Sequence, residues 1–158
     1  MTNTQLLSLQ AYDPKKVKLY LGGLRVFGFA ADTKITVSRN SDNIMVHTGT
    51  DGEASGALSR DRSGVMTISL QNTSSFNETF SLWQRQADTT GLIWFPVLLE
   101  GSQGPSISSM GCIQRQPDLE YGSEVGQLDW EIYVLDCWYA PSAASGVVGA
   151  VGSMFGIA

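Results

Sequence analysis

The hydrophobic period changes once in this chain, between Leu70 and Phe76, and that change restricts the fold more than any other feature. Met66, Ile68 and Leu70 take alternate positions, with Thr67, Ser69 and Gln71 between them. This is the pattern of a strand with one apolar face. Phe76, Phe80, Trp83 and Ala87 then recur at helical spacing, with Glu78, Gln84 and Arg85 off the stripe, as on a helix that covers an apolar surface. Ser75 and Glu78 fit a capping box at its start. Elsewhere period-two runs dominate, so the chain is mainly β with one packed helix.

Taken in order, residues 1–14 read as an arm or edge segment. Val17, Leu19 and Leu21 alternate in a strand, Gly22-Gly23 is a tight turn, and Leu24 to Phe29 returns as the hairpin partner. Ile35 to Ser38 and Ile44 to Thr48 are further strands, separated by the turn signal Asn40-Ser41-Asp42-Asn43. Residues 49–64 read as a long polar loop without periodicity, of a kind that usually has a function of its own. Ile93 to Leu99 is a strand whose Pro96 suggests an edge position or a bulge. Ser106 to Gln114 is a weaker strand. The clearest strand runs from Leu128 to Trp138, with Leu128, Trp130, Ile132 and Val134 on one face and Asp129, Glu131 and Tyr133 on the other.

Length and charge exclude several function classes. The 158 residues allow one core and not comfortably two domains. The expected division is a single β domain over 1–140 and a Gly/Ala-rich apolar tail over 141–158. The net charge of −5 and the scatter of the ten basic residues disfavour tight binding to phosphate backbones. Lys15-Lys16-Val17-Lys18 is the one dense basic run, and it reads as a solvated strand entrance. Cys112 and Cys137 lie in apolar surroundings and read as buried thiols. The first residues lack the pattern of a signal peptide, which predicts use without export. The tail carries no charged side chain, but its many small residues disfavour a membrane span and favour docking on another subunit.

No convincing active site or cofactor site emerges. His47 is the single histidine and sits inside a strand; a catalytic triad around it would need unseen partners. Asp51-Gly52-Glu53 supplies two carboxylates where a calcium site needs about six to eight oxygen ligands, so it reads as a turn and no metal is expected. The glycine segments do not match a phosphate-binding loop. Trp83, Trp94, Trp130 and Trp138 could form a sugar platform, but three of them lie on apolar stripes or runs, and core is the better reading.

The ordered set Leu19-Tyr20-Leu21-Gly22-Gly23, Gly28-Phe29-Ala30-Ala31-Asp32, Ile35 to Asn40, Asp51-Gly52-Glu53, Arg60-Asp61-Arg62-Ser63-Gly64 and Gln71 to Ser75 leading into a helix resembles the tail-tube protein of contractile-tailed bacteriophages, a superfamily shared with the tube subunits of type VI secretion. The resemblance covers roughly residues 15–100 well and the remainder loosely. It implies the tail-tube fold, a β-sandwich or partly closed barrel of about eight strands. It also implies a structural virion protein rather than an enzyme, assembled in the bacterial cytoplasm as stacked hexameric rings. The partners it implies are further copies of the chain, the sheath, baseplate and tail terminator proteins, the tape measure protein, and DNA that passes through the lumen without specific binding. No cofactor and no membrane insertion are expected.

In related tubes the corresponding long loop reaches toward an adjacent ring. On that basis Asp51, Glu53, Arg60, Asp61 and Arg62 are candidate inter-ring contacts. Asp129 and Glu131 must point away from the core, and two carboxylates so placed suit a water-filled lumen better than a dry interface; a subunit-interface ion pair is the competing reading. Phe76, Phe80 and Trp83 are the expected helix packing residues. A carbohydrate-binding or capsid-associated β-sandwich is the alternative function. It predicts a stable monomer with an exposed aromatic cluster.

Overall fold

In the computed structural model, which describes residues 13–31, 35–101 and 104–140, two glycines make the first reversal. A single 3-10 turn, Pro14–Lys16, leads into β1 (Lys18–Leu21), and β2 (Leu24–Arg25) returns beside it. Gly22 and Gly23 both have positive φ, +58° and +83°, as a two-residue hairpin turn of this hand requires. The remaining strands are β3 (Ile35–Arg39), β4 (Ile44–Thr48), β5 (Ala54–Leu58), β6 (Gly64–Gln71), β7 (Phe95–Glu100), β8 (Ile107–Arg115) and β9 (Gln127–Val134). The one α-helix among the described residues, α1 (Phe76–Thr90), lies between β6 and β7 in sequence.

Seven strands form one antiparallel sheet in the order β2-β1-β7-β8-β9-β6-β3, while β4 and β5 form a separate two-stranded ribbon. Alternation decides which face is buried. Leu19 and Leu21, Phe95 and Val97, Ile107, the even-numbered apolar residues of β9 from Leu128 to Val134, and Met66, Ile68 and Leu70 all turn to one side and make the core. The segment after β2 partly closes the sheet. Val26 N donates to Leu19 O (2.9 Å), while Ala30 N donates to Ser69 O and Gln71 N to Gly28 O (2.9 and 2.8 Å). Residues 26–30 therefore tie the β1 edge to the end of β6. The sheet curls without closing into a barrel, in keeping with the sandwich or partly closed barrel expected from the sequence.

The helix lies across the core face of this curl. Phe80 is fully buried, and Phe76 and Trp83 are half-buried. Phe80 meets Trp130 edge-on with centroids 5.3 Å apart, Trp83 meets Phe95 at 4.9 Å, and Phe76 meets Phe27 at 6.3 Å. Trp130 Nε1 donates to Asn77 Oδ1 (3.0 Å), so the most buried indole keeps a partner. Gly64 marks a tight approach: a Cβ there would run into Cys137 Sγ and the Ser38 carbonyl.

Four local expectations are corrected. Residues 54–58 of the supposed loop are β5, the return strand of a hairpin. Pro96 does not mark an edge, because β7 lies between β1 and β8. Its carbonyl accepts from Gly22 N at 2.9 Å, so its missing donor would face that same turn, past the end of the ladder. Strand β9 stops at Val134 because the next residues change partner: Leu135 N bonds Met110 O and Cys137 N bonds Arg62 O. Ser75 makes no side-chain cap bond. The chain instead approaches α1 through a turn, with Ser74 N on Gln71 O and Asn77 N on Ser74 O, and Ser74 Oγ donates to Phe27 O. The tail 141–158 and nearly all of the N-terminal arm lie outside the described residues.

Truncation should sort these contacts. Phe80→Ala is expected to cost about 3–5 kcal/mol in urea unfolding, and Ser75→Ala less than about 0.5 kcal/mol. A Ser75→Ala loss near 1 kcal/mol or more, as typical for a lost cap, would restore the capping box.

Candidate functional site

The ribbon of β4 and β5 is the most unusual part of the surface. Ile44 faces Leu58, Met45 faces Ala57, Val46 faces Gly56, His47 faces Ser55 and Thr48 faces Ala54. All ten residues are exposed. Ile44, Met45, Val46 and Leu58 show between 51% and 79% of their surface to solvent. A two-stranded ribbon with no other described element packed on either face is marginal in water, and an apolar one is an association surface.

The five charged residues assigned to this region separate into two groups. Asp51 and Glu53 sit at the tip, where Gly49 N bonds Glu53 O and Gly52 N bonds Gly49 O. Gly52 has a φ of +83°, so Asp51-Gly52-Glu53 is a turn. Arg60, Asp61 and Arg62 lie at the base, beyond the end of β5. There Asp61 Oδ1 accepts from Ser63 N and Ser63 Oγ (2.9 and 2.7 Å). Arg39 reaches the Asp61 carbonyl and the Asn43 side chain. Arg62 pairs with Asp136 at 3.8 Å, an exposed pair of the kind that contributes about 0–1 kcal/mol. Asp61 and Arg62 thus have partners within the chain and fix the angle at which the ribbon leaves the sheet. The tip carboxylates point to no described partner.

Asp129 is exposed and Glu131 is half-buried on the face of β9 opposite the core. Their strand neighbours on β6 are Ser69 and Thr67, and Thr36 of β3 stands beside Thr67. Arg115 of β8 stands in register with Glu131 after a one-residue irregularity at Gln114. Its guanidinium, however, pairs with Asp118 at 3.4 Å. Together with Asp118 and Glu120, the two carboxylates line an open hollow of about 340 Å³. No group of His, Cys, Asp and Glu among the described residues could hold a metal ion.

The other candidate chemistry does not converge. His47 projects from the ribbon, and no hydrogen bond among the described residues engages its side chain. Cys112 and Cys137 are free and buried, and burial pushes both thiols above the ordinary range. Of the tryptophans, Trp130 is in the core and Trp83 is half-buried, whereas Trp94 and Trp138 are exposed, so the core reading holds for only half of them. Sequence reasoning missed Asn77, which holds Trp130 and, through Nδ2, the Gln71 carbonyl (2.8 Å). A polar residue one position from the apolar stripe was the only signal for it. No helix among the described residues is long and apolar enough to cross a membrane.

The Ser63 hydrogen bonds, through side chain and then backbone, hold the Asp61 carboxyl below its ordinary 3.8. A folded-state pKa below the unfolded value stabilises the charged, folded form above that unfolded value. The stabilisation is lost as pH falls through the folded one. The ribbon base should therefore stay closed at pH 5 and loosen only in strong acid. An NMR titration should place the Asp61 midpoint below 3.8, and Ser63→Ala should raise it. A wild-type midpoint at or above the ordinary value would remove Asp61 as the anchor.

A family model described as bacteriophage PhiTE tail tube protein matches residues 25–138, which takes in every element from β3 to β9. Among curated proteins none matches the chain.

Proposed function

The chain belongs to the bacteriophage PhiTE tail tube protein family, and on that premise we propose that it builds stacked hexameric rings whose lumen conducts DNA during ejection. Membership makes it a structural virion protein that self-assembles into a tube, not an enzyme. The finer reading adds a contractile tail, with a superfamily link to type VI secretion tubes. It also adds sheath, baseplate, terminator and tape measure proteins as partners, and assembly in the host cytoplasm.

The observation that carries the assembly reading is the bare ribbon. Ile44, Val46 and Leu58 are exposed on a hairpin whose residues are not buried by any other described part of the chain. A neighbouring subunit is the occupant a tube supplies. Burial of such side chains is worth about 1.5–3 kcal/mol each, and the contact recurs around every ring. Asp51 and Glu53 at the tip are then placed to meet the next ring. Arg60 serves from the base, and Asp61 and Arg62 orient the ribbon as well as contributing charge.

For the lumen, the support is the polar row Thr36, Thr67 and Glu131 with Asp129 alongside, on the face that the core does not use. An acidic wall repels phosphate and lets the polymer slide. A net charge of −5 on each subunit supports the same direction.

Two experiments test this reading. The triple change Ile44→Ser, Val46→Ser and Leu58→Ser should leave circular dichroism of the monomer unchanged while electron microscopy finds no tubes. Normal tubes from that variant would sink the ribbon as an assembly element. For the lumen, Asp129→Lys with Glu131→Lys should still give tubes, but DNA ejection should slow and become salt-dependent. Loss of rings would favour an interface ion pair, and unaffected ejection would end the lumen assignment.

A further inference from the structure

Two surfaces outside the ribbon, one of them bordering the carboxylate hollow through Asp118 and Glu120, complement each other. The first is a groove of about 400 Å³ at the seam where residues 26–30 close the sheet. Its wall includes Lys15 and Arg25, and its floor includes Pro14, Val17 and Phe27. Lys16 is exposed beside it. Arg25 is held with its guanidinium 5.1 Å above the Phe27 ring. Phe27 is itself 56% exposed and braced from behind by Phe76. Lys15 sits in the 3-10 turn, with its backbone N–H on Asp13 Oδ1 at 3.0 Å. Two cations on rigid supports around an exposed aromatic ring make a receptor for an acidic, partly apolar segment. The basic run read from sequence as a solvated strand entrance is part of this surface.

The second surface is the connection between β8 and β9. It exposes Asp118, Glu120 and Glu124, and among them Leu119 (61%), Tyr121 (88%) and Val125 (73%). Its end is tied down by Asn72 N donating to Gly126 O, so the loop projects from a fixed base. None of its residues lines the groove. Asn72 follows Gln71, which lines the groove, so groove and loop are separate patches that adjoin at the end of β6.

We propose that these two patches form a head-to-tail interface: Leu119-Glu120-Tyr121 of one copy seats in the groove of the next, with Glu120 and Glu124 against Lys15, Lys16 and Arg25. The occupant is a second copy of this chain, because the complementary charge and the exposed apolar side chains are both present on it. A contact between two different patches generates a ring or a filament, whereas a self-complementary two-fold contact would stop at a dimer. The inference rests on the tail-tube reading and names contacts that reading leaves unspecified.

The test is charge exchange between two variants. Lys15→Glu with Lys16→Glu reverses the groove, and Glu120→Lys with Glu124→Lys reverses the loop. Each variant alone should be folded by circular dichroism, and each should need a protein concentration at least about tenfold higher to form tubes. Mixed in equal amounts they should assemble again, since each groove then matches the other variant's loop. Wild-type assembly should weaken as salt rises. Variants that assemble as wild type, or folded variants whose mixture stays monomeric, overturn the interface and leave the tube reading standing. A wild type that never exceeds a monomer overturns both.

Discussion

Trp130 is the residue on which the two layers of this fold depend. It is the largest side chain in the core, and it is held from two directions by one helix: edge-on by Phe80 and through its indole N–H by Asn77. The first contact excludes water, and the second removes the cost of burying an N–H donor. Asn77 also bonds the Gln71 carbonyl at the end of β6, so the helix, the central strand β9 and the strand before the helix are fixed together. The seam depends on the same region. Gln71 N takes the Gly28 carbonyl, and Phe76 backs Phe27.

The same arrangement explains how a modest chain can spare so much surface for contacts. The core is concentrated on one face of the sheet, under a single helix. The opposite face, the ribbon and the β8–β9 connection are left to polar rows or to exposed apolar side chains. Here the hollows are shallow and open, and the charged residues are spread along edges and projections. That distribution is consistent with a family whose work is assembly.

The parts of the fold legible in the sequence are those where burial imposes a period. Strands β6 and β9 have one face in the core, and their alternation located both. The stripe Phe76, Phe80, Trp83 located the helix for the same reason. The misreadings fall where that constraint is absent. Strand β5 is Ala-Ser-Gly-Ala-Leu with no core face, so neither propensity nor alternation marks it; only its partner across the hairpin makes it a strand. The approach to α1 offers Asn72, Thr73, Ser74 and Ser75 in succession, but Ser75 makes no cap bond and Ser74 Oγ goes instead to the carbonyl of Phe27, distant in sequence. Pro96 signalled an edge, because only the three-dimensional register reveals that its ring faces a turn. For the candidate site, the charges could be found from the sequence, but the division of the loop into tip and base could not.

On the assembly role proposed for it, the exposed ribbon also bears on when polymerisation would start. A hairpin that is only marginally stable alone spends part of its time out of the binding-competent shape. The apparent affinity of two free subunits is reduced by the fraction that is competent. A subunit arriving at a growing end meets a surface already ordered by its neighbours, and only the newcomer's ribbon must be fixed. Elongation is thereby favoured over nucleation, and subunits can accumulate in solution without polymerising until a template presents the first ordered layer. On that proposal, the same exposed hairpin that would drive elongation would delay spontaneous initiation.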